Sequence, residues 1–343
     1  MTTRLALRAA TLAATAALAL TAGTATSSAE SRTDGLALLP GGTTGFAFDV
    51  NNKGSVVGYS NNAAGVNRAV LWDANGTATD LGTLPGDTSA TAYTINDRGT
   101  VIVGRSLIPG GAQHPVRWTP DGTVTQLPTP AGTTVSRAYS VNDSGVAVGF
   151  STGADGLYKA LRWSAGCALT QLPALPGDPA AGAGWINNHG TAAGYSKDAA
   201  GVMRAVLWSP AGTVTKLAGL PGQDSYQASA ISDTGIAVGN SYTGTTSHAV
   251  RWSPAGVPQE LAPLPGDTGA AAYGVNDAGV VIGFSTDAAG RHRAVKWNAN
   301  GTPSALPGIA AGNAEAYGVN DYGTTAGFST GAEGTTLPTQ WKG

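Results

Sequence analysis

The chain has 343 residues, of which 12% are charged, and its formal net charge is −2. So small and balanced a charge excludes electrostatic attraction to nucleic acid or to an anionic membrane as the basis of function. The single cysteine, Cys167, excludes a disulfide framework, which a domain of this length does not need for stability.

The first residues have the pattern of a secretory signal peptide. Arg4 and Arg8 precede an apolar run over 12–20, and small residues follow. We therefore predict a signal peptide over 1–29, a single secreted domain over 30–343, and a mature protein without a membrane-inserted segment, since no later run is long enough to span a bilayer. The composition gives no reason to expect more than a monomer.

Beyond this segment the chain repeats itself. A tryptophan recurs at steps of 44 to 46 residues, and a glycine keeps the same step. The tryptophans are Trp72, Trp118, Trp163, Trp208, Trp252, Trp297 and Trp341. A period of this length without a helical pattern inside it is typical of a β-propeller.

One repeat predicts four short strands. In the second copy these lie at 92–96, 100–106, 114–118 and 123–127, and tight turns at 96–99 and 119–122 join the first pair and the last pair. Each copy is therefore expected to form a four-stranded antiparallel sheet.

A serine closes the second strand of every copy, and a basic residue opens the third strand in all but the last. The serines are Ser60, Ser106, Ser151, Ser196, Ser241, Ser285 and Ser329. If serine and basic residue face each other, each tryptophan lies opposite a small or β-branched residue, as Trp72 opposite Val56. The serine and the basic residue form either a hydrogen-bonded latch between the second and third strands or an exposed pair that does not contribute to stability.

The ends of the chain predict closure. The last copy stops after its third strand at Trp341, whereas residues 33–41 resemble the fourth strand and exit loop at 79–86. We expect residues near 32–38 to complete the last sheet and hide two edges. The predicted fold class is all-β, a seven-bladed β-propeller of four-stranded antiparallel blades closed by an N-terminal strand. An open array is the alternative.

The stretches 69–76, 79–86 and 92–99, which recur in every copy from about residue 36 to 343, resemble the bacterial extracellular HAF repeat family. The chain departs from the family's His-Ala-Phe motif, with Arg-Ala-Val at 68–70 and His-Ala-Val at 248–250. The resemblance implies a secreted, propeller-like repeat protein. It implies no common activity and supplies no catalytic residue.

Departures between copies indicate where a ligand could bind. Trp185 stands one residue after the position where most copies have Phe or Tyr, so it points to the opposite side of its strand, either as a stacking platform in the central channel or as a repacked core residue. Tyr226 and Tyr242 are irregular in the fifth copy and could flank the same sector. We therefore name Trp185, Tyr226 and Tyr242 as candidate ligand-binding residues.

Loop carboxylates are the second candidate set. Asp198 and Asp287 belong to a group of acidic residues in the loops of one face of the predicted propeller. These acids either bind a ligand or calcium, or serve only as favourable turn residues. The other loop acids are Asp87, Asp155, Asp178, Asp224, Asp267 and Glu333. The four histidines lack metal-ligand spacing, so no metal site and no cofactor are predicted, with calcium left open. We interpret His114 and His248 as structural, and His189 and His292 as exposed turn or loop residues.

Because no catalytic constellation is visible, the sequence favours a secreted non-enzymatic propeller that binds an extracellular polysaccharide, peptide or surface protein. It favours the absence of enzymatic activity. Two alternatives stay open: a glycoside hydrolase or lyase that uses carboxylates on the loop-rich face, and a cell-envelope scaffold without a small ligand.

Overall fold

The structure is a computed structural model that describes residues 32–342. The predicted signal peptide lies outside the described residues. The described part consists of 28 β-strands and contains no helix. It therefore contains no helix that could cross a membrane.

The strands follow the repeats. β1 is Arg32–Gly35. The first repeat forms β2 Gly45–Val50, β3 Val56–Asn61, β4 Asn67–Trp72 and β5 Ala78–Asp80. The second forms β6 Ser89–Ile95, β7 Ile102–Leu107, β8 Gln113–Trp118 and β9 Val124–Gln126. The third forms β10 Val135–Val141, β11 Ala147–Thr152, β12 Tyr158–Trp163 and β13 Leu169–Gln171.

The fourth repeat forms β14 Ala180–Ile186, β15 Ala192–Lys197, β16 Met203–Trp208 and β17 Val214–Lys216. The fifth forms β18 Ser225–Ile231, β19 Ala237–Thr243, β20 Thr246–Trp252 and β21 Pro258–Leu261. The sixth forms β22 Gly269–Val275, β23 Val281–Thr286, β24 His292–Trp297 and β25 Pro303–Ala305. The seventh forms β26 Ala314–Val319, β27 Thr325–Thr330 and β28 Thr336–Lys342.

Each repeat is an antiparallel meander, and five of the sheets have four strands. The second and third repeats share one eight-stranded sheet, because Val135 forms a parallel bridge with Gln113. The predicted register is confirmed: Trp72 pairs with Val56 and Ser60 with Arg68. β1 pairs with β28, with Arg32 opposite Lys342 and Gly35 opposite Thr339, so the N-terminal segment supplies the fourth strand of the last sheet.

The first strands of successive repeats contact one another, from β2 through β6, β10, β14, β18 and β22 to β26, and β26 contacts β2. We call these the inner strands. Each is interrupted near its middle by a β-bulge, as between Ala47 and Asp49.

The turns that follow the inner strands are joined by a chain of hydrogen bonds that we call the Asn/Asp belt. A backbone N–H in each turn donates to the side-chain Oδ1 of Asn or Asp in the next turn. The donor–acceptor pairs are Asn52–Asp97, Arg98–Asp143, Asp143–Asn188, Asn188–Asp233, Asp233–Asp277, Asp277–Asp321 and Asp321–Asn52, at 2.6–3.1 Å. The last pair connects the seventh turn to the first.

The repeating tryptophans are the largest core side chains, and each is at most 1% exposed. Each indole Nε1–H also donates to a backbone carbonyl about 35 residues earlier, in the segment that links its repeat to the one before. The acceptors, in chain order, are Ala37, Gly82, Pro128, Pro173, Ala218, Ala262 and Pro307, at 2.6–3.3 Å. Each tryptophan therefore fills the core between sheets and holds the linker that precedes it.

In the fourth and sixth repeats the recurring serine forms a latch with a linker aspartate rather than with the basic residue, whereas in the described structure Ser241 Oγ and Ser329 Oγ have no hydrogen-bond partner. Ser196 Oγ accepts the N–H of Leu175 and donates to the Asp178 carboxylate, and Arg204 reaches the same carboxylate at 3.5 Å. Ser285 and Asp267 repeat the arrangement, with Arg293 at 2.5 Å from the carboxylate. The serine thus holds the preceding linker, and the linker Asp stands between serine and arginine.

Candidate functional site

Aromatic side chains from the inner strands and their neighbours form a surface that we call the aromatic wall. Their ring centroids lie 4.4–6.5 Å apart from one ring to the next. The wall comprises Phe46, Phe48, Tyr59, Tyr93, Tyr139, Phe150, Tyr158, Tyr195, Tyr273, Phe284, Tyr317 and Phe328. The wall lies on the inner strands, which precede the turns of the Asn/Asp belt in each repeat. Aromatic rings of this kind can stack on the faces of a cyclic ligand.

The wall is interrupted in the fourth repeat. Gly182 and Gly184 occupy inner-strand positions at which the third repeat has Arg137 and Tyr139. A cavity of about 340 Å³ opens there. It is lined by Tyr139, Phe150, Tyr158, Tyr195, Gln227 and Ser229, together with the glycines. The glycines are needed for this space, because a Cβ at Gly182 would lie 2.8 Å from the Tyr195 ring.

A histidine, a carboxylate and a phenol meet on the wall between the sixth and seventh repeats. His292 Nδ1 lies 2.7 Å from Glu315 Oε1, and Tyr317 Oη donates to Glu315 Oε2 at 2.6 Å. The His292 ring stacks on Phe284 with centroids 3.9 Å apart. Since a carboxylate only accepts, Nδ1 carries the proton and Nε2 of the neutral imidazole has its lone pair available.

The surroundings keep this group in one orientation. The Glu315 side chain is 11% exposed, whereas that of His292 is 33% exposed, so the imidazole is the part that a ligand can reach. Burial raises the pKa of Tyr317, and the neighbouring Tyr273 and Glu315 raise it further, so the phenol stays protonated and donates. The arrangement can accept and return a proton at His292 Nε2.

Two arginines stand on another part of the wall. Arg105 Nη1 and Arg137 Nε both donate to Gln113 Oε1, at 3.1 and 2.7 Å. The Arg105 guanidinium lies 5.9 Å from the centre of the Tyr93 ring, and the Arg137 guanidinium lies 5.7 Å from that of Phe150. Among the described residues neither arginine forms an ion pair with a carboxylate.

A smaller cavity of about 90 Å³ lies inside the Asn/Asp belt and is lined by residues from all the inner strands. Asp49 faces it, is 5% exposed, and accepts the N–H of Ile95 at 3.1 Å. Burial raises the pKa of Asp49 to about 7, with a further contribution from Asp97. Burial likewise raises the pKa of Asp97 and of Asp277.

The candidate residues named from the sequence do not converge. Trp185 lines the cavity inside the belt and packs against two cores, the one between the fourth and fifth repeats and the one between the fifth and sixth. Tyr226 is 4% exposed and its hydroxyl donates to the Leu217 carbonyl at 3.2 Å, as in a core residue. Tyr242 lies near the end of β19, opposite Ser247.

Asp198 and Asp287 serve their own turns. Asp198 Oδ1 accepts the N–H groups of Ala200 and Val202 at 2.9 Å, and its Oδ2 binds Arg204 at 2.8 Å. Asp287 does the same for Ala289 and Arg291. Hydrogen bonding to these N–H groups lowers the pKa of both carboxyls. They are good turn residues, the structural alternative considered above.

Sequence reasoning missed the residues that do meet. His292 was interpreted as a loop-edge residue, but it is the first residue of β24 and packs on Phe284. Glu315 was not singled out. One signal was available: aligned repeats place Phe46, Thr91, Arg137, Gly182, Gln227, Ala271 and Glu315 at a single inner-strand position, where all seven residue types differ.

The chain matches no family model and no curated protein sequence. It is similar to solved structures. A catalytically inactive histidine-to-alanine variant of virginiamycin B lyase from Staphylococcus aureus, with quinupristin, is 14% identical with a TM-score of 0.60, over 91% of this chain and 99% of that chain. An oligogalacturonate lyase in complex with manganese is 12% identical with a TM-score of 0.60, over 91% and 98%.

A puromycin-hydrolyzing peptidase from Mycobacterium tuberculosis is 13% identical with a TM-score of 0.55, over 83% of this chain but 50% of that chain. At this level of identity the likeness concerns the fold, which is all-β, made largely of four-stranded antiparallel sheets, and propeller-like.

The comparisons correct two predictions. We expected a non-enzymatic binding module, and we expected no enzymatic activity. Both predictions are wrong, because proteins that share this fold across 91% of the chain are lyases. The sequence analysis does not pair His292 with Glu315, because these residues belong to adjacent repeats and meet only through the packing of one sheet on the next.

The manganese of one neighbour provides a test of metal binding. In the described part of the chain, no three His, Cys, Asp or Glu side chains are grouped so that they could hold a metal ion. The residues present therefore do not fit such a site, and no step of the mechanism below passes through a metal ion.

Proposed function

We propose that this protein is a secreted lyase built on a seven-bladed β-propeller, with His292 as the base that removes a proton from carbon. The observation that carries the proposal is the contact of 2.7 Å between His292 Nδ1 and Glu315 Oε1 on the aromatic wall. The similarity to lyases over nearly the whole chain supports the reaction class. In one of these lyases, replacement of a histidine gives an inactive enzyme.

A closed propeller is the architecture in which these residues share one space. The cycle of inner-strand contacts, the return of the Asn/Asp belt to Asn52 and the pairing of β1 with β28 support it. The signal-peptide pattern supports secretion, and the resemblance to HAF repeats fits a secreted propeller. An extracellular glycan is the favoured substrate, because the wall offers ring faces and hydrogen-bonding groups together.

The proposed reaction is a β-elimination. His292 Nε2 takes the proton from a carbon next to a carbonyl or carboxyl group, and the electron pair of that C–H bond forms a C=C bond. The C–O bond at the next carbon breaks, and its electron pair leaves with the oxygen, which takes up a proton from His292 or from water. Glu315 stabilises the imidazolium that forms in between and keeps its tautomer fixed.

Substitution of the base tests the proposal. His292→Asn and Glu315→Gln are assayed with polyuronides and streptogramin B depsipeptides, and the new conjugated C=C bond is followed by its ultraviolet absorbance. We expect kcat to fall by about 10²–10⁴ for His292→Asn, the usual contribution of a positioned base, and to fall less for Glu315→Gln.

A matched control exists in the same molecule. His248 Nδ1 lies 2.7 Å from Glu260 Oε1, but Glu260 belongs to β21, the strand of its sheet farthest from the inner strand. His248→Asn should leave kcat unchanged. Equal losses for His292→Asn and His248→Asn, or full activity of His292→Asn, would overturn the assignment.

A further inference from the structure

The pair Arg105 and Arg137 is an unusual feature of the aromatic wall. Both guanidinium groups are half-buried, and the amide oxygen of Gln113 is their shared partner. Arg105 Nε is buried without any hydrogen-bond partner in the described structure. Two cations that are close together and only partly solvated repel each other, and a buried donor without an acceptor is costly.

Arg137 adjoins the cavity in the fourth repeat, and Arg105 stands beside Arg137 through their shared partner Gln113. Arg137 Nη1 donates to the hydroxyl of Tyr139 at 3.2 Å, and its guanidinium lies against Phe150. Tyr139 and Phe150 also line the cavity of about 340 Å³. A ring held in that cavity would therefore carry its substituents toward Arg137.

We propose that Arg105, Arg137 and this cavity form a binding subsite for a sugar ring that carries an anionic group, so that the substrate of the proposed lyase is an acidic oligosaccharide. An oxyanion beside the guanidinium groups supplies the missing negative charge. The planar guanidinium fork matches a carboxylate or a sulfate ester, and the tyrosine and phenylalanine faces match the ring.

The subsite lies away from the proposed base. Along the wall, Tyr317 contacts Phe48 and Phe48 contacts Tyr93, so these rings stand between Glu315 and the arginines. A ligand that reaches both regions needs more than one sugar ring. The assignment as a substrate subsite rests on the proposed function, whereas binding by the arginines can be measured without turnover.

The experiment is titration calorimetry of the His292→Asn variant, in which turnover is slowed, with three probes: a galacturonate trimer, a sulfated galactose trimer and neutral galactotriose. We expect one charged trimer to bind with a Kd that rises with salt, and the neutral trimer to bind far more weakly. Adding Arg137→Gln or Arg105→Gln should weaken binding of the charged trimer by about 10- to 100-fold, as for a lost charged hydrogen bond.

Arg98→Gln is the control with the same change of charge, since Arg98 is 70% exposed in a turn of the Asn/Asp belt. It should leave the Kd within a factor of about two, as a screened surface charge does. The proposal is overturned if the neutral trimer binds as tightly as the charged ones, or if Arg98→Gln weakens binding as much as Arg137→Gln. Charged-trimer binding with no elimination in the unsubstituted protein would retain the subsite and refute the lyase.

Discussion

Asp49 is a buried carboxyl group on the inner strand β2. It holds an ionisable group at 5% exposure in the cavity of the Asn/Asp belt, where Thr94 and Ser140 are the matching residues of the next repeats. A Cβ at Gly318 would lie 2.9 Å from Asp49 Oδ1, so the carboxyl also depends on a glycine of the neighbouring inner strand. Burial makes the neutral form the favoured one in the folded protein.

This gives a prediction for Asp49→Asn. In the unfolded chain the pKa of Asp49 is about 3.8, whereas in the folded protein it is about 7. The unfolding free energy of the native state therefore falls as the pH rises from about 4 to about 7, by about 1.4 kcal/mol for each pH unit. Asparagine cannot ionise and keeps an oxygen for the N–H of Ile95.

Asp49→Asn should therefore match the unsubstituted protein in unfolding free energy near pH 4 and exceed it by about 4 kcal/mol above pH 7. Urea denaturation at pH 4, 6 and 8 measures the difference. A difference that does not change with pH would show that Asp49 is not the group responsible.

At the scale of the element, the third strand of each repeat makes the main contact with the linker from the preceding repeat. Its tryptophan donates to the linker that precedes the repeat, as Trp208 does to the Pro173 carbonyl at 2.7 Å. In four repeats the serine of the second strand accepts from the same linker, as Ser196 does from Leu175. The linkers have little regular structure of their own, so these side chains fix where each sheet begins.

Trp208→Phe tests this contact between tryptophan and linker. The change removes one ring and leaves the Pro173 carbonyl without its donor, so we expect a loss of about 3 kcal/mol in unfolding free energy. Trp185→Phe is the control, because Trp185 is only partly buried and has no hydrogen bond of its indole among those described. Thermal or urea unfolding compares the two, and an equal loss would argue against the linker contact.

Much at this scale could be predicted from the sequence, because residues that build every repeat occur in every repeat. The tryptophans and serines gave the strand register, which cross-strand pairing confirms. The site could not be predicted in this way. His292 and Glu315 occupy varied positions in different repeats, and only the packing of one sheet on the next brings them to 2.7 Å. The linker acids, such as Asp178, looked like candidates although they serve the latch.

At the scale of the whole molecule, the segment β1 ties the beginning of the described chain to its end. Its residues pair with β28, Leu36 N donates to the Pro338 carbonyl at 3.0 Å, and Lys342 lies 3.5 Å from Asp34. The Asn/Asp belt makes a second connection, from Asp321 to Asn52. Loss of either connection should therefore destabilise every sheet.

Deletion of residues 1–35 removes β1, whereas deletion of residues 1–30 keeps it and serves as the control. The longer deletion should lower the unfolding free energy by on the order of 4 kcal/mol, since each lost ladder hydrogen bond contributes about 1 kcal/mol. Unfolding should remain a single transition in calorimetry. Equal midpoints for the two deletions would show that β1 does not hold the last sheet.

The direction of β1 has a mechanical consequence. Because β1 runs antiparallel to β28, Arg32 and Lys342 are partners at the same end of the strand pair. A force that pulls these two residues apart breaks the hydrogen bonds one after another from that end, rather than loading all of them at once in shear. A molecule tethered through both of these points would open its last sheet at low force, while a pull applied through one of them alone would leave that sheet intact.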